Sequence, residues 1–150
     1  MWFDTIIAAI AVAMQVGGYS DVSRDHWAAK PIENLVAAKM LPPGEGKAFQ
    51  GDRPVTRYEF AVLMDRFIQD IRKSFIRQPV PKELNLANIK GRDADGSQAA
   101  MVRLAKDGFL PYESPIFRGP SETITPEMMS IAMAQIAQRI GQLFRDKDDD

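Results

Sequence analysis

The strongest periodicity in the chain is the run Phe60, Leu63, Met64, Phe67, Ile68, Ile71 and Phe75, which keeps one face continuously apolar at helical spacing. Just ahead of it Thr56 stands where an N-cap belongs, and Glu59 follows three positions later. That is a capping box: the hydroxyl accepts the N3 amide proton while the carboxylate accepts from the N-cap amide. The pattern predicts a long helix over residues 57–75, with Arg57 at its first position and pointing sideways beside the preceding loop. A shorter stripe, Ile32, Leu35, Val36 and Met40, predicts a helix over residues 31–40. Pro31 suits the first position there, because its missing amide would be unpaired anyway. His26-Trp27-Ala28 then forms a preliminary 3₁₀ turn, with Ser23 and Asp25 as candidate caps. Met101, Leu104 and Ala105 mark a helix over residues 100–107. Thr125-Pro126 opens a last long helix carrying Met129, Ala132, Met133, Ile136, Ile140, Leu143 and Phe144. The chain reads as all-α.

Leu41-Pro42-Pro43-Gly44-Glu45-Gly46-Lys47 is a loop by composition. In residues 77–87, Pro79 and Pro81 favour extended backbone and indicate a linker. The order of landmarks then repeats. Leu35 and Leu104, Leu41-Pro42 and Leu110-Pro111, and Val55-Thr56 and Ile124-Thr125 align at an offset of 69. Phe49-Gln50-Gly51 aligns with Phe117-Arg118-Gly119 at 68, and Asp21-Val22 with Asn88-Ile89 at 67. Each unit is short helix, loop, long helix. The expected architecture is therefore two helix-loop-helix repeats, residues 19–76 and 88–145, packed through their long helices. Residues 146–150 are an acidic tail.

The first 18 residues differ in kind. The apolar run at residues 6–14 is well short of the ~20 residues a membrane-spanning helix needs. Its length suits the core of a signal peptide, and Ala11-Val12-Ala13 has the small-x-small cleavage pattern. No Lys or Arg precedes the run and Asp4 is acidic, which leaves an ordinary buried helix as the alternative. Export is the reading carried forward, with no membrane insertion of the mature chain.

Composition removes several function classes. With 150 residues there is room for one ordinary domain or two very small ones. A formal net charge of −1 gives no field to gather nucleic acid. Arg72, Lys73 and Arg77 form only a modest basic patch without interleaved aromatics. The absence of cysteine excludes disulfides and thiolate chemistry. A single histidine, His26, without clustered acids builds no metal site. The aspartates of residues 146–150 lack the alternation and glycine of a calcium loop. No nucleophile–base pairing emerges, so neither catalysis nor a cofactor is expected.

The stretch from Tyr19-Ser20-Asp21-Val22 through His26-Trp27-Ala28, Ile32, Leu35 and Phe49 to Val55-Thr56-Arg57-Tyr58-Glu59-Phe60 resembles the S-layer homology domain. That bacterial module fixes surface proteins to cell-wall polymers. The family's signature is Thr-Arg-Ala-Glu at the start of its second long helix. Thr56-Arg57-Tyr58-Glu59 matches it except at Tyr58, which replaces alanine. The resemblance implies a helical fold in an exported protein of the bacterial envelope. It also implies non-catalytic binding of an anionic, pyruvylated wall polysaccharide or a peptidoglycan-linked glycan. The second repeat keeps the apolar skeleton but has Pro126 at the Arg57 position, Met128 at the Glu59 position and Gly96 near that of Trp27. It resembles a degenerate copy.

The expected ligand contacts are Arg57, Trp27, Thr56 and Glu59. A guanidinium beside a helix N-terminus can hold a carboxylate bidentately, aided by free helical amides. Trp27 can stack on a sugar ring and offer an N–H at its edge. Plainer readings stand beside these. Arg57 can be a surface ion pair worth roughly 0–1 kcal/mol, Thr56 and Glu59 a cap and nothing more, and Trp27 a core residue. Wall attachment with Arg57 as principal anion contact is the expected function. Its rival is an envelope scaffold whose repeats bind another protein or copies of the chain. Anion binding at Arg57 requires an open crevice at the helix mouth; a sealed guanidinium would leave only a pair of related helical units.

Overall fold

Two separate cores organise the chain. The computed structural model describes residues 15–119 and 121–145, and the chain divides into Met1–Arg53 and Pro54–Asp150. The signal-like run at residues 6–14 and the acidic residues 146–150 lie outside the described residues. Helices supply the regular structure, and among the described residues there is no strand beyond two isolated bridges.

In the first unit, Val16, Tyr19, Ala29 and Ile32 form the core, with Val22, Val36 and Phe49 packed against it. Val16, placed in the signal-like segment on sequence, is fully buried in this core. Helix α1 (Ala29–Ala37) begins two residues earlier than its apolar stripe indicates. Pro31 falls in the first turn, where amides have no intrahelical acceptor, so the proline costs nothing there. Ser23 and Asp25 do not cap the helix; the Ser23 hydroxyl donates to Asp25 Oδ1 at 2.6 Å. His26 Nδ1 instead accepts the Ala28 amide at 3.1 Å. The loop after α1 is laced to the start of the unit. The Gly44 amide donates to Gly17 O at 2.9 Å, the Gly46 amide to Gly18 O at 2.8 Å, and the Tyr19 hydroxyl to Pro42 O at 2.7 Å. A Cβ on Gly44 would stand 2.5 Å from the Gly18 carbonyl carbon, so only glycine permits this approach.

The second unit contains α2 (Arg57–Ile71), α3 (Ser97–Lys106), the short α4 (Pro115–Arg118) and α5 (Pro126–Phe144). The α4 segment reads as loop on sequence. Pro115 at its first position and the Ser114 hydroxyl accepting the Ile116 amide account for the extra turn. Phe109, Phe117, Ile68, Met101 and Leu104 are among the side chains buried completely. The apolar stripe of α2 faces this core, whereas Met133 and Phe144 of the α5 stripe are exposed. The most extensive helix contact is α2 against α3, so the long helix of the first repeat beds on the short helix of the second. Long-on-long pairing is not the main contact. Asp65 on α2 fixes the α2–α3 pair by accepting from Arg103 Nε at 3.0 Å and Nη2 at 2.6 Å. That bond raises the Arg103 pKa and forms a two-pronged charged contact of the strong kind. The linker is extended, as its prolines require, but fastened: the Arg77 amide donates to Leu143 O and the Lys82 amide to Lys106 O.

Candidate functional site

The mouth of α2 is built as its spacing predicts. The Glu59 amide donates to Thr56 Oγ1 at 3.1 Å, and the Thr56 amide to Glu59 Oε2 at 3.0 Å. Thr125 caps α5 by accepting the Met128 amide at 3.1 Å; with methionine at that position the reciprocal half of the box is absent. The two mouths pair with each other. The Ile124 amide donates to Val55 O at 3.0 Å and the Arg57 amide to Glu122 O at 2.8 Å, which joins segments aligned by the repeat.

Arg57 does not stand in a crevice. It is 5% exposed. Nη1 donates to Lys90 O at 2.6 Å and to Phe117 O at 3.4 Å, and Nη2 to the Tyr58 hydroxyl at 2.7 Å. Nε is buried without a partner among the described residues. The guanidinium carbon lies 4.3 Å from the Tyr58 ring centroid, and that of Arg92 covers the same ring at 3.7 Å. The expected open anion contact is therefore corrected to an internal tie. Lys90 and Phe117 already meet through a backbone hydrogen bond, and the planar guanidinium adds donors to both carbonyls in a fixed fork. Tyr58, the departure from the family's alanine, adds both the hydroxyl acceptor and the aromatic face.

Trp27 belongs to the first unit and is 84% exposed. It precedes the first helical residue, so it is not on the α1 face that buries Ala29 and Ile32. Its ring lies beside that of His26, with centroids 5.6 Å apart. An indole held this far into water is the unusual observation, since large aromatics normally bury most of their area. The segment leading to it carries Asp21, Arg24 and Asp25. Hydrogen bonds from the Phe49 amide, then the Gln50 amide, hold the Asp21 carboxyl below its ordinary range. The Ser23 hydroxyl does the same for Asp25. These carboxylates suit sugar hydroxyls rather than an anion.

Residues 18–61 match the S-layer homology domain. That match covers less than a third of the chain. Over 78 residues, 49% of this chain and 8% of the relative, the sequence is 30% identical to the outer membrane protein SlpA of Thermus thermophilus. Over 65 residues, 43% of this chain and 6% of the relative, it is 34% identical to the protein of the same name from Deinococcus radiodurans. The chain thus spans less than a tenth of the length of these curated relatives. No solved structure matches it. S-layer homology domains anchor proteins to cell-wall polymers, and proteins that carry them are associated with the cell envelope. Here the matched segment includes residues of both structural units, Trp27 in the first and Thr56, Arg57 and Glu59 in the second. Thr56 and Glu59 are engaged with each other as a cap. Sequence reasoning missed Arg92, whose contact with Tyr58 spans more than thirty residues and leaves no local signal.

Proposed function

We propose that the protein is an exported, non-catalytic envelope anchor whose first unit docks a wall polysaccharide on the exposed Trp27 ring. The observation that carries this reading is an indole 84% exposed inside the segment that matches a wall-anchoring domain. The ring supplies an apolar face for the C–H side of a sugar, and Asp21 and Asp25 accept from its hydroxyls. Arg57 supports the fold of the second unit and has no part in the contact.

The test is co-sedimentation of the full chain with purified wall sacculi. The wild type pellets with them, and Trp27→Ala loses that retention while its helical circular dichroism is unchanged. Retention of the Trp27→Ala protein at the wild-type level would remove this ring from the account. A wild type that stays in the supernatant with every wall preparation would favour the scaffold reading.

A further inference from the structure

The second unit holds a cavity of about 360 Å³, a size typical of small-molecule sites. Its floor is apolar and includes Leu84, Phe109 and Leu110. One wall is the C-terminal half of α5, where Gln135, Gln138, Arg139 and Gln142 recur at the spacing of a single helix face. These residues lie ten or more positions beyond the α5 cap, roughly 15 Å or more along the helix axis. The cavity is therefore remote from the mouths where the family signature falls.

Two cations converge on this cavity. Gly108 has a left-handed backbone (φ 74) and no side chain to fill the space above it. The point where its Cβ would stand is 3.7 Å from Arg139 Nε, 3.8 Å from Lys82 Nζ and 3.9 Å from Arg139 Nη2. Arg139 is held in place, donating from Nε to Asp107 O at 3.3 Å and from Nη1 to Gln142 Oε1 at 3.2 Å. Its Nη2 remains available among the described residues. No Asp or Glu lines the cavity, and neither Lys82 nor Arg139 has a carboxylate partner among the described residues. Like charges gathered in a concave site attract an anion of matching size. The glutamine amides both donate to and accept from hydroxyl groups, and the floor suits the C–H face of a ring.

We infer that this cavity binds a carboxylated sugar, its carboxylate between Lys82 and Arg139 and its hydroxyls on the glutamines of α5. The inference rests on the wall-polymer reading only for the source of that sugar. The test is an NMR titration of the full chain with D-glucuronate, D-glucose and inorganic phosphate. Glucuronate shifts the side-chain amide signals of Gln135, Gln138 and Gln142, and glucose binds about tenfold more weakly, the scale of one charged hydrogen bond. Lys82→Gln and Arg139→Gln each weaken glucuronate by about tenfold; Lys82 is exposed, so its replacement leaves folding intact. Equal shifts with glucose, equal shifts with phosphate, or wild-type affinity in both variants would each overturn the assignment. The two proposals fail separately. Trp27→Ala keeps glucuronate binding, and a wild type that binds glucuronate but not sacculi leaves this cavity standing while the wall reading falls.

Discussion

At Arg57 the guanidinium is the meeting point of three segments: the first turn of α2, the carbonyl of Lys90 and the carbonyl of Phe117. The adjacent Tyr58 hydroxyl takes one of its donors, so Tyr58→Phe removes a single bond to a charged group. The expected cost is about 1.5–3 kcal/mol in urea unfolding of the full chain. Arg57→Ala removes all of these bonds at once and costs more than Tyr58→Phe, so lost wall retention in that variant would report on folding. The Thr56–Glu59 box was legible in the sequence because its partners are three residues apart. The acceptors of Arg57 lie 33 and 60 residues away, and no local pattern encodes them. Trp27 was hidden for a related reason: its exposure depends on α1 starting just beyond it. Asp21 makes a prediction in pH. Its pKa is lowered from 3.8 by the Phe49 and Gln50 amides, so the folded state favours the ionised form. That stabilisation is fully present above the ordinary carboxylate range and is lost as pH falls through the lowered folded value. The protection factors of the Phe49 and Gln50 amides against hydrogen exchange should fall over this window, and Asp21→Asn should show lower protection already at neutral pH.

The ends of α1 and α3 carry the repeat into the backbone. Met40 and Leu41 donate to Leu35 O at 2.9 and 3.1 Å, and Phe109 and Leu110 donate to Leu104 O at 2.9 and 3.2 Å. These are the same bonds displaced by 69 residues. The left-handed residue in the first closure is Lys39 (φ 59) and in the second Gly108 (φ 74). A side chain in that region costs about 1–2 kcal/mol. Lys39→Gly should therefore raise stability by about 0.5–1 kcal/mol, net of the extra freedom glycine has when unfolded. Gly108→Ala should lower it by about 1–2 kcal/mol, because the atoms nearest its new Cβ stand at 3.7 Å or more, an ordinary contact distance, and leave only the backbone strain. Thermal denaturation measures both. Long periodic helices were readable from the sequence, and α4, a single turn, was too short to show a period. Met133 and Phe144 fit the α5 stripe by spacing but fall beyond the strip of helix that the core covers.

Repeats and structural units do not share a boundary. By sequence the first repeat closes after its long helix, yet the unit boundary lies between Arg53 and Pro54, and α2 packs with α3 of the second repeat. The offset of 69 was visible because landmarks recur in order; which helix beds on which was not, since both candidates present apolar faces of the same period. A fragment of residues 54–150 should melt in one cooperative transition followed by circular dichroism. A fragment of residues 15–76 should lose the helicity of α2, whose apolar face is then bare.

This offset between repetition and packing bears on how such segments are recombined. Moving residues 18–61 alone into a foreign protein would separate α2 from its bed on α3 and sever it at Ala61, ahead of the Asp65 that Arg103 grips. A donor cut at the Arg53–Pro54 junction keeps that helix with its own neighbours, and it is the cut that chain shuffling or engineering should respect.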